Sequence, residues 1–394
     1  LIGVIGFTVA SGLASLAWSG DMLVTTRVVQ GAFAGIMVPQ VLSSVQVMFA
    51  PEERGPIFGV VGALSAIGAI AGLLLGGWLV TADVLGTGWR SIFLINVPVG
   101  ILLVAATVLF VPNSRSEHPV GLDLAGVALG ALAVFLVVFP LTDGRAAGWA
   151  WWIWMMLVAA PFAIGLFIRQ QRRKLSADGT ALLPLPLFQN RGFSSGLLVQ
   201  VVSSVGNGGY SLVLLFYMQA ALGFTAFSAG LALLPIGIGS MIGTPVAMLL
   251  MKRLGKQAVL LGGAIQAAAF GWVMFVINSE GSDLSGWSLT PALTVAGIGM
   301  MVLIMPQTSI ALDAVPTAEA GAASGTFTTF GQVGMVLGVA LAGAVYFGEI
   351  SDTDDAQAAA TAGLWVIIAA YALAGIAALT MPSVQIGSKE DSET

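Results

Sequence analysis

Two residues carry the clearest chemical potential in this chain. Arg27 is the one charge set well inside an apolar stretch, and Gln30 follows three residues later, on the same face of a helix. A guanidinium in hydrocarbon costs at least ~2.5–3.5 kcal/mol at mid-depth, so it must meet a cavity or a partner. The other reading is a side chain that snorkels outward from near its helix start, six residues after Asp21. A second set is polar but uncharged. Gln200, Ser203, Asn207, Tyr210 and Tyr217 follow one another by three, four, three and seven residues, which places all five on one helical stripe. Such a stripe suits either the wall of a central cavity or hydrogen bonds between helices. Gly68, Gly72 and Gly76 repeat every four residues, the spacing that lets helix backbones approach closely.

Other chemistries lack their residues. The sequence has no cysteine and a single histidine, His118, which removes thiolate catalysis, disulfides and clustered metal ligands. No G-x-x-x-x-G-K-[ST] phosphate loop occurs. Asp123, Asp143 and Asp313 fall near segment ends, where capping or solvation accounts for them; Asp123 begins its helix, where a carboxylate suits the macrodipole. A membrane enzyme needs a nucleophile, base or metal ligands converging at depth, and no such set exists. No cofactor is expected, and a net charge of −5 argues against nucleic acid.

The elements that position these residues follow from composition. Of 394 residues 57% are hydrophobic and 8% charged, and the mean hydropathy is +0.97. A soluble domain carries about 25% charged residues. Apolar runs long enough to cross ~30 Å of hydrocarbon instead fill the chain from end to end. Breakers divide it into twelve segments: 1–18, 22–49, 56–80, 90–111, 121–142, 149–170, 193–220, 226–250, 256–277, 289–313, 319–347 and 360–382. The longest break, from Arg169 to Arg191, carries Arg172, Arg173 and Lys174. Pro39, Pro235, Pro245 and Pro306 are expected to kink their helices.

Alternate connections differ in basic residues. One set holds Arg54, Arg115, Arg169, Arg172, Arg173, Lys174, Arg191, Lys252, Arg253, Lys256 and Lys389; the other holds Arg90 and Arg145. By the positive-inside rule the first set is cytoplasmic, both ends of the chain face inward, and the acidic loop Asp352–Asp355 faces outward. The chain opens on Leu1 and an apolar run without a charged leader, so it reads as part of a longer protein rather than as a signal peptide.

An internal repeat is present. Met37–Gln40 recurs as Ile304–Gln307, and Gly72 and Gly77 recur as Gly338 and Gly343. Both copies run in the same direction, the arrangement of transporters built from two parallel halves. The segments Arg27-Val-Val-Gln30-Gly31, Trp89-Arg90-Ser-Ile-Phe-Leu-Ile-Asn96-Val-Pro98-Val-Gly100 and Tyr217-Met-Gln219 through Gly223 and Gly230 to Pro235 resemble the fourteen-helix drug:proton antiporter branch of the major facilitator superfamily, the EmrB/QacA type. So does the antiporter motif around Gly68, Gly72, Gly76 and Gly77, although Leu73 stands where the family usually has proline.

The resemblance implies an all-α integral membrane protein with the major facilitator fold: two pseudo-symmetric bundles and two extra central helices. About 12 of 14 helices are then present. Residues 1–112 form the rest of an N-terminal bundle lacking its first two helices, and 113–190 the extra pair and a linker. Residues 191–383 form a six-helix C-terminal bundle, and 384–394 a cytoplasmic tail. It further implies a monomeric proton-coupled exporter of small amphiphilic compounds in the inner, plasma membrane, working by alternating access. Arg27 and Gln30 would couple protons or substrate, and Gln200, Asn207, Tyr210, Tyr217 and Gln307 would line the cavity. The lipid bilayer and protons are the other expected partners. The alternatives are an importer of a specific metabolite and a transporter-derived sensor or scaffold that moves nothing.

Overall fold

The structure is a computed structural model that describes residues 1–48, 68, 71–72, 74–83, 86–111, 123–144, 147–178, 185–313, 315 and 320–382. Arg54, Leu73, Arg115, His118, Arg145, Lys389, the loop 51–56 and the tail 384–394 lie outside the described residues. The regular elements described are all helical. They are α1 (Ile2–Ser15), α2 (Gly20–Met48), α3 (74–81), α4 (Asn96–Phe110), α5 (Leu124–Asp143), α6 (Trp151–Asp178), α7 (Arg191–Phe216), α8 (Ala226–Leu254), α9 (Gln257–Glu280), α10 (Thr290–Asp313), α11 (Ala320–Thr353) and α12 (Ala356–Ala377). Nine helices among the described residues are long and apolar enough to cross a membrane.

Three boundaries differ from the hydropathy reading. The basic run expected in a connection is instead the last turns of α6, which continues to Asp178. Arginine, glutamine and lysine are good helix formers, and the first glycine after them is Gly179. Hydropathy marks where the apolar solvent ends, whereas the helix ends where its formers do. α11 likewise runs past its apolar stretch, to Thr353, and absorbs Asp352. Asp355 then starts α12 as its N-cap, its carboxylate accepting from the Gln357 and Ala358 N–H groups at 2.8 and 3.1 Å. The segment expected at 90–111 starts two residues earlier and runs as one span, Gly88–Phe110, the short turn Ser91–Leu94 passing through a helical Ile95 into α4.

Close packing divides the chain into two units. The first comprises residues 1–119 with 224–231. In it α2 lies antiparallel to α1: a Cβ at Gly3 would stand 3.1 Å from Met37 Cβ, and one at Gly6 would fall on the Phe33 ring. The Trp89–Gly100 segment fastens α4 to α1. Arg90 donates to the Ala17 carbonyl at 2.7 Å and lies 4.5 Å over the Trp89 ring. Ser11 Oγ donates to the Phe93 carbonyl, Asn96 Nδ2 donates to Ser11 Oγ, each at 3.0 Å, and Gly100 leaves room for Thr8. The residues that mark the family resemblance here are therefore a helix-to-helix fastening.

The second unit holds residues 120–223 and 232–394. Its α5–α6 hairpin is closed by Asp123, the N-cap of α5. That carboxylate accepts from the Gly126 N–H (2.9 Å), Gln170 Nε2 (2.8 Å) and Gln171 Nε2 (2.8 Å). Burial works against its charge, yet these hydrogen bonds and nearby Lys174 outweigh it and hold the carboxyl below its ordinary value.

Around α7 the packing depends on glycine. A Cβ at Gly334 would meet the Val201 carbonyl oxygen at 2.5 Å, and one at Gly338 would meet Val205 Cα at 2.8 Å, so α7 and α11 run side by side in the same direction. Gly263 on α9 comes equally close to Gly375 of α12. At the end of α12, Arg191 Nε and Lys256 Nζ donate to the Thr380 and Met381 carbonyls, at 3.2 and 2.8 Å. They satisfy acceptors that a helix terminus leaves over.

Two outcomes follow from these contacts. Gly338→Leu forces α7 and α11 apart and lowers the thermal unfolding temperature of the purified protein by the equivalent of ~1–3 kcal/mol or more. Gly325→Ala, on the same helix with nothing within 4 Å among the described residues, does not lower it. Asp123 has a depressed carboxyl pKa, so its contribution is complete at neutral pH and disappears as pH falls through the range below an ordinary carboxylate. The gap in unfolding temperature between the native protein and Asp123→Asn should therefore be wide at neutral pH and shrink progressively as pH falls below the ordinary carboxylate range.

Candidate functional site

The first unit brings Arg27 and Gln30 together. Arg27 Nη1 donates to Gln30 Oε1 at 2.8 Å, and the guanidinium carbon stands 5.4 Å from the Phe93 ring centroid. Arg27 is exposed, whereas Gln30 is 1% exposed. Because arginine has no acceptor, its bond fixes which way the Gln30 amide faces. Gln30 Nε2 is thereby turned inward and has no partner among the described residues. Such an unpaired buried donor costs about 1–3 kcal/mol. Both side chains line a cavity of about 650 Å³, whose other walls include Phe7, Leu23, Val24 and Val28. The site is a guanidinium, held by an amide and a ring, at the edge of an apolar hollow.

The polar stripe of α7 lies in the second unit, and its members take different partners. Gln200 Oε1 accepts from Gln307 Nε2 of α10 at 2.5 Å. Ser203 Oγ returns to its own helix, donating to the Gln200 carbonyl at 3.1 Å. Asn207 Oδ1 accepts from the Tyr371 hydroxyl of α12 at 3.1 Å. Tyr210 stacks on Phe270 of α9 (centroids 5.3 Å apart), which stacks in turn on Tyr371 (5.5 Å apart, planes at 8°). Tyr217 is buried, and its hydroxyl donates to the Gly281 carbonyl beyond α9 at 3.3 Å. It also opens a π-helical turn, Tyr217–Ala221. Of the expected cavity residues, Gln200, Asn207 and Tyr210 are half-buried, while Tyr217 and Gln307 are enclosed.

The glycines of the antiporter motif divide. A Cβ at Gly68, Gly72 or Gly76 would meet nothing within 4 Å among the described residues, whereas one at Gly77 would stand 2.7 Å from Phe227 Cα.

Four residues of the second unit's core escaped the sequence reading: Gln266, Phe270, Tyr346 and Tyr371. Gln266 is 2% exposed, and its Oε1, like that of Gln307 and the Tyr346 hydroxyl, lacks a partner among the described residues. One signal for Gln266 was available: it is the one amide in the apolar middle of α9, between Gln257 at its start and Asn278 near its end.

A family profile described as the Major Facilitator Superfamily matches residues 1–339. The chain belongs to the major facilitator superfamily. That family is one of membrane transporters rather than enzymes. The chain is 34% identical over 349 residues to the "Probable actinorhodin transporter" of Streptomyces coelicolor, a match covering 88% of this chain and 60% of the relative. It is 29% identical to the "Tetracenomycin C resistance and export protein" of Streptomyces glaucescens, covering 89% of this chain and 64% of that one. It therefore spans about three-fifths of the length of these curated relatives. Among solved structures, a POT family transporter in complex with 5-aminolevulinic acid superposes with a TM-score of 0.61, over 96% of this chain and 79% of that one, at 13% identity. That likeness is one of fold.

The Gln200–Gln307 bridge is open to a double-mutant test. Gln200→Leu strands the Gln307 amide in the core and costs about 1–3 kcal/mol, read as a drop in unfolding temperature. Gln200→Leu combined with Gln307→Leu replaces both partners with apolar groups and is less damaging than the sum of the two single changes.

Proposed function

We propose that this protein is a secondary active exporter of small amphiphilic compounds, driven by protons and working by alternating access in the plasma membrane. The observation that carries the reading is the naming of the relatives: proteins about 30% identical along most of this chain are called a probable actinorhodin transporter, a tetracenomycin C resistance and export protein and a puromycin resistance protein. The family membership and the apolar helices support it.

In this reading the α5–α6 hairpin is the extra central pair of the fourteen-helix branch, and the natural protein has two helices before α1. The basic connections face the cytoplasm. Arg27 and Gln30 couple substrate movement to protons, since they form a polar site at the edge of an apolar hollow. Gln200, Asn207 and Tyr210 supply polar wall to the transport route, while Gln307 holds Gln200 from within the core and Tyr217 ties the end of α7 to Gly281.

The test uses the complete gene product in proteoliposomes. An imposed proton gradient should drive accumulation of fluorescent amphiphiles, and dissipating the gradient should collapse it. Arg27→Ala should abolish that accumulation while the amount of protein in the vesicles stays unchanged. Full activity in the variant would remove Arg27 from the mechanism. Accumulation indifferent to the gradient in the native protein would remove proton coupling.

A further inference from the structure

Among the described residues no carboxylate pairs with Arg27. Its hydrogen-bond partner is the carbonyl of an uncharged amide, and its other neighbour is the face of a phenylalanine ring. The nearest acid in sequence, Asp21, sits six residues away in the first turn of α2. Gln30 adds a buried Nε2 with no acceptor. The cavity thus presents the remaining N–H groups of the exposed guanidinium and its positive charge, while Gln30 Nε2 stays buried behind it. The walls around them are apolar: Phe7, Leu23, Val24 and Val28.

From this we infer that the cavity beside Arg27 binds organic anions: compounds with an apolar, ring-sized body and a carboxylate or another acidic oxygen group that pairs with the guanidinium. The physical argument has three parts. A guanidinium at an apolar surface gains most from a planar oxyanion, which takes two of its N–H groups at once. Cationic compounds, by contrast, meet like charge, with no carboxylate beside it among the described residues. And the hollow, about 650 Å³ and open on the side where Val24 and Val28 are exposed, has room for a ring-sized apolar body against its wall. Gln30 acts as a positioning residue, because its carbonyl holds the guanidinium without cancelling the charge. The inference rests on the exporter reading only in calling the anion a substrate. Binding of the anion stands on the site alone.

The experiment is equilibrium dialysis of the purified full chain, with no gradient, against radiolabelled 2-naphthoate and its uncharged amide, 2-naphthamide. The acid should bind roughly tenfold or more tighter than the amide, the ratio a charge-assisted hydrogen bond supplies. Gln30→Glu is nearly isosteric and places a carboxylate of the protein's own beside Arg27. It should bring naphthoate binding down to the naphthamide level and leave naphthamide binding unchanged. Arg27→Gln should do the same. Unchanged naphthamide binding in both variants shows that the fold survived. Equal binding of acid and amide by the native protein overturns the inference, as does naphthoate preference that persists in Gln30→Glu. If the preference holds but no gradient-driven transport is found, the export reading fails and this one stands. If transport is found with no preference for the acid, the reverse is true.

Discussion

Apolar side chains meeting each other inside a bilayer gain almost nothing over meeting lipid, and the whole structure answers to that constraint. What remains to hold helices together is close backbone contact and hydrogen bonding between helices. The glycines at 334 and 338 bring α11 against α7, and Gly263 brings α9 against Gly375 of α12. Polar contacts are then few and placed between helices: Gln200 with Gln307, Asn207 with Tyr371, Ser11 with Asn96. Large apolar residues such as Leu102, Phe110, Phe162 and Phe275 are left on the outside, 61% of Ile101 among them, because lipid is an adequate neighbour. In water the same surface would be an aggregation hazard.

The chemistry of the site follows from the same scarcity. Where nearly every polar group is engaged, the exceptions stand out: a guanidinium at the edge of a hollow, and amide atoms of Gln30, Gln266 and Gln307 that have found no partner among the described residues. The first unit sets one guanidinium at the edge of an apolar hollow, and the second spreads uncharged polarity over four helices.

Much of this was legible in the sequence, for definable reasons. Hydropathy and breakers located the helices because the solvent itself is read out in the composition, and the Arg27–Gln30 contact was legible because it lies within one helical turn. Contacts between distant segments were not. Nothing in the spacing of α7 says that Gln200 meets Gln307, 107 residues on, or that Phe270 lies between Tyr210 and Tyr371. Helix ends were misread wherever polar helix formers carry on past the apolar run, as in α6. Asp123 was read as a helix-start carboxylate and is one, but its two glutamine donors sit 47 and 48 residues away and left no local trace.

The ties at the end of α12 carry a mechanical consequence. Arg191 stands at the start of α7 and Lys256 just before α9, and both reach the same closing turn of α12. Two struts from two members to one joint make a truss, in which no member can pivot at that end by itself. Phe270 between Tyr210 and Tyr371 braces the same three helices further along. Displacement within this part of the second unit is therefore shared by α7, α9 and α12 together, and the helices free to shift first are the ones outside the truss.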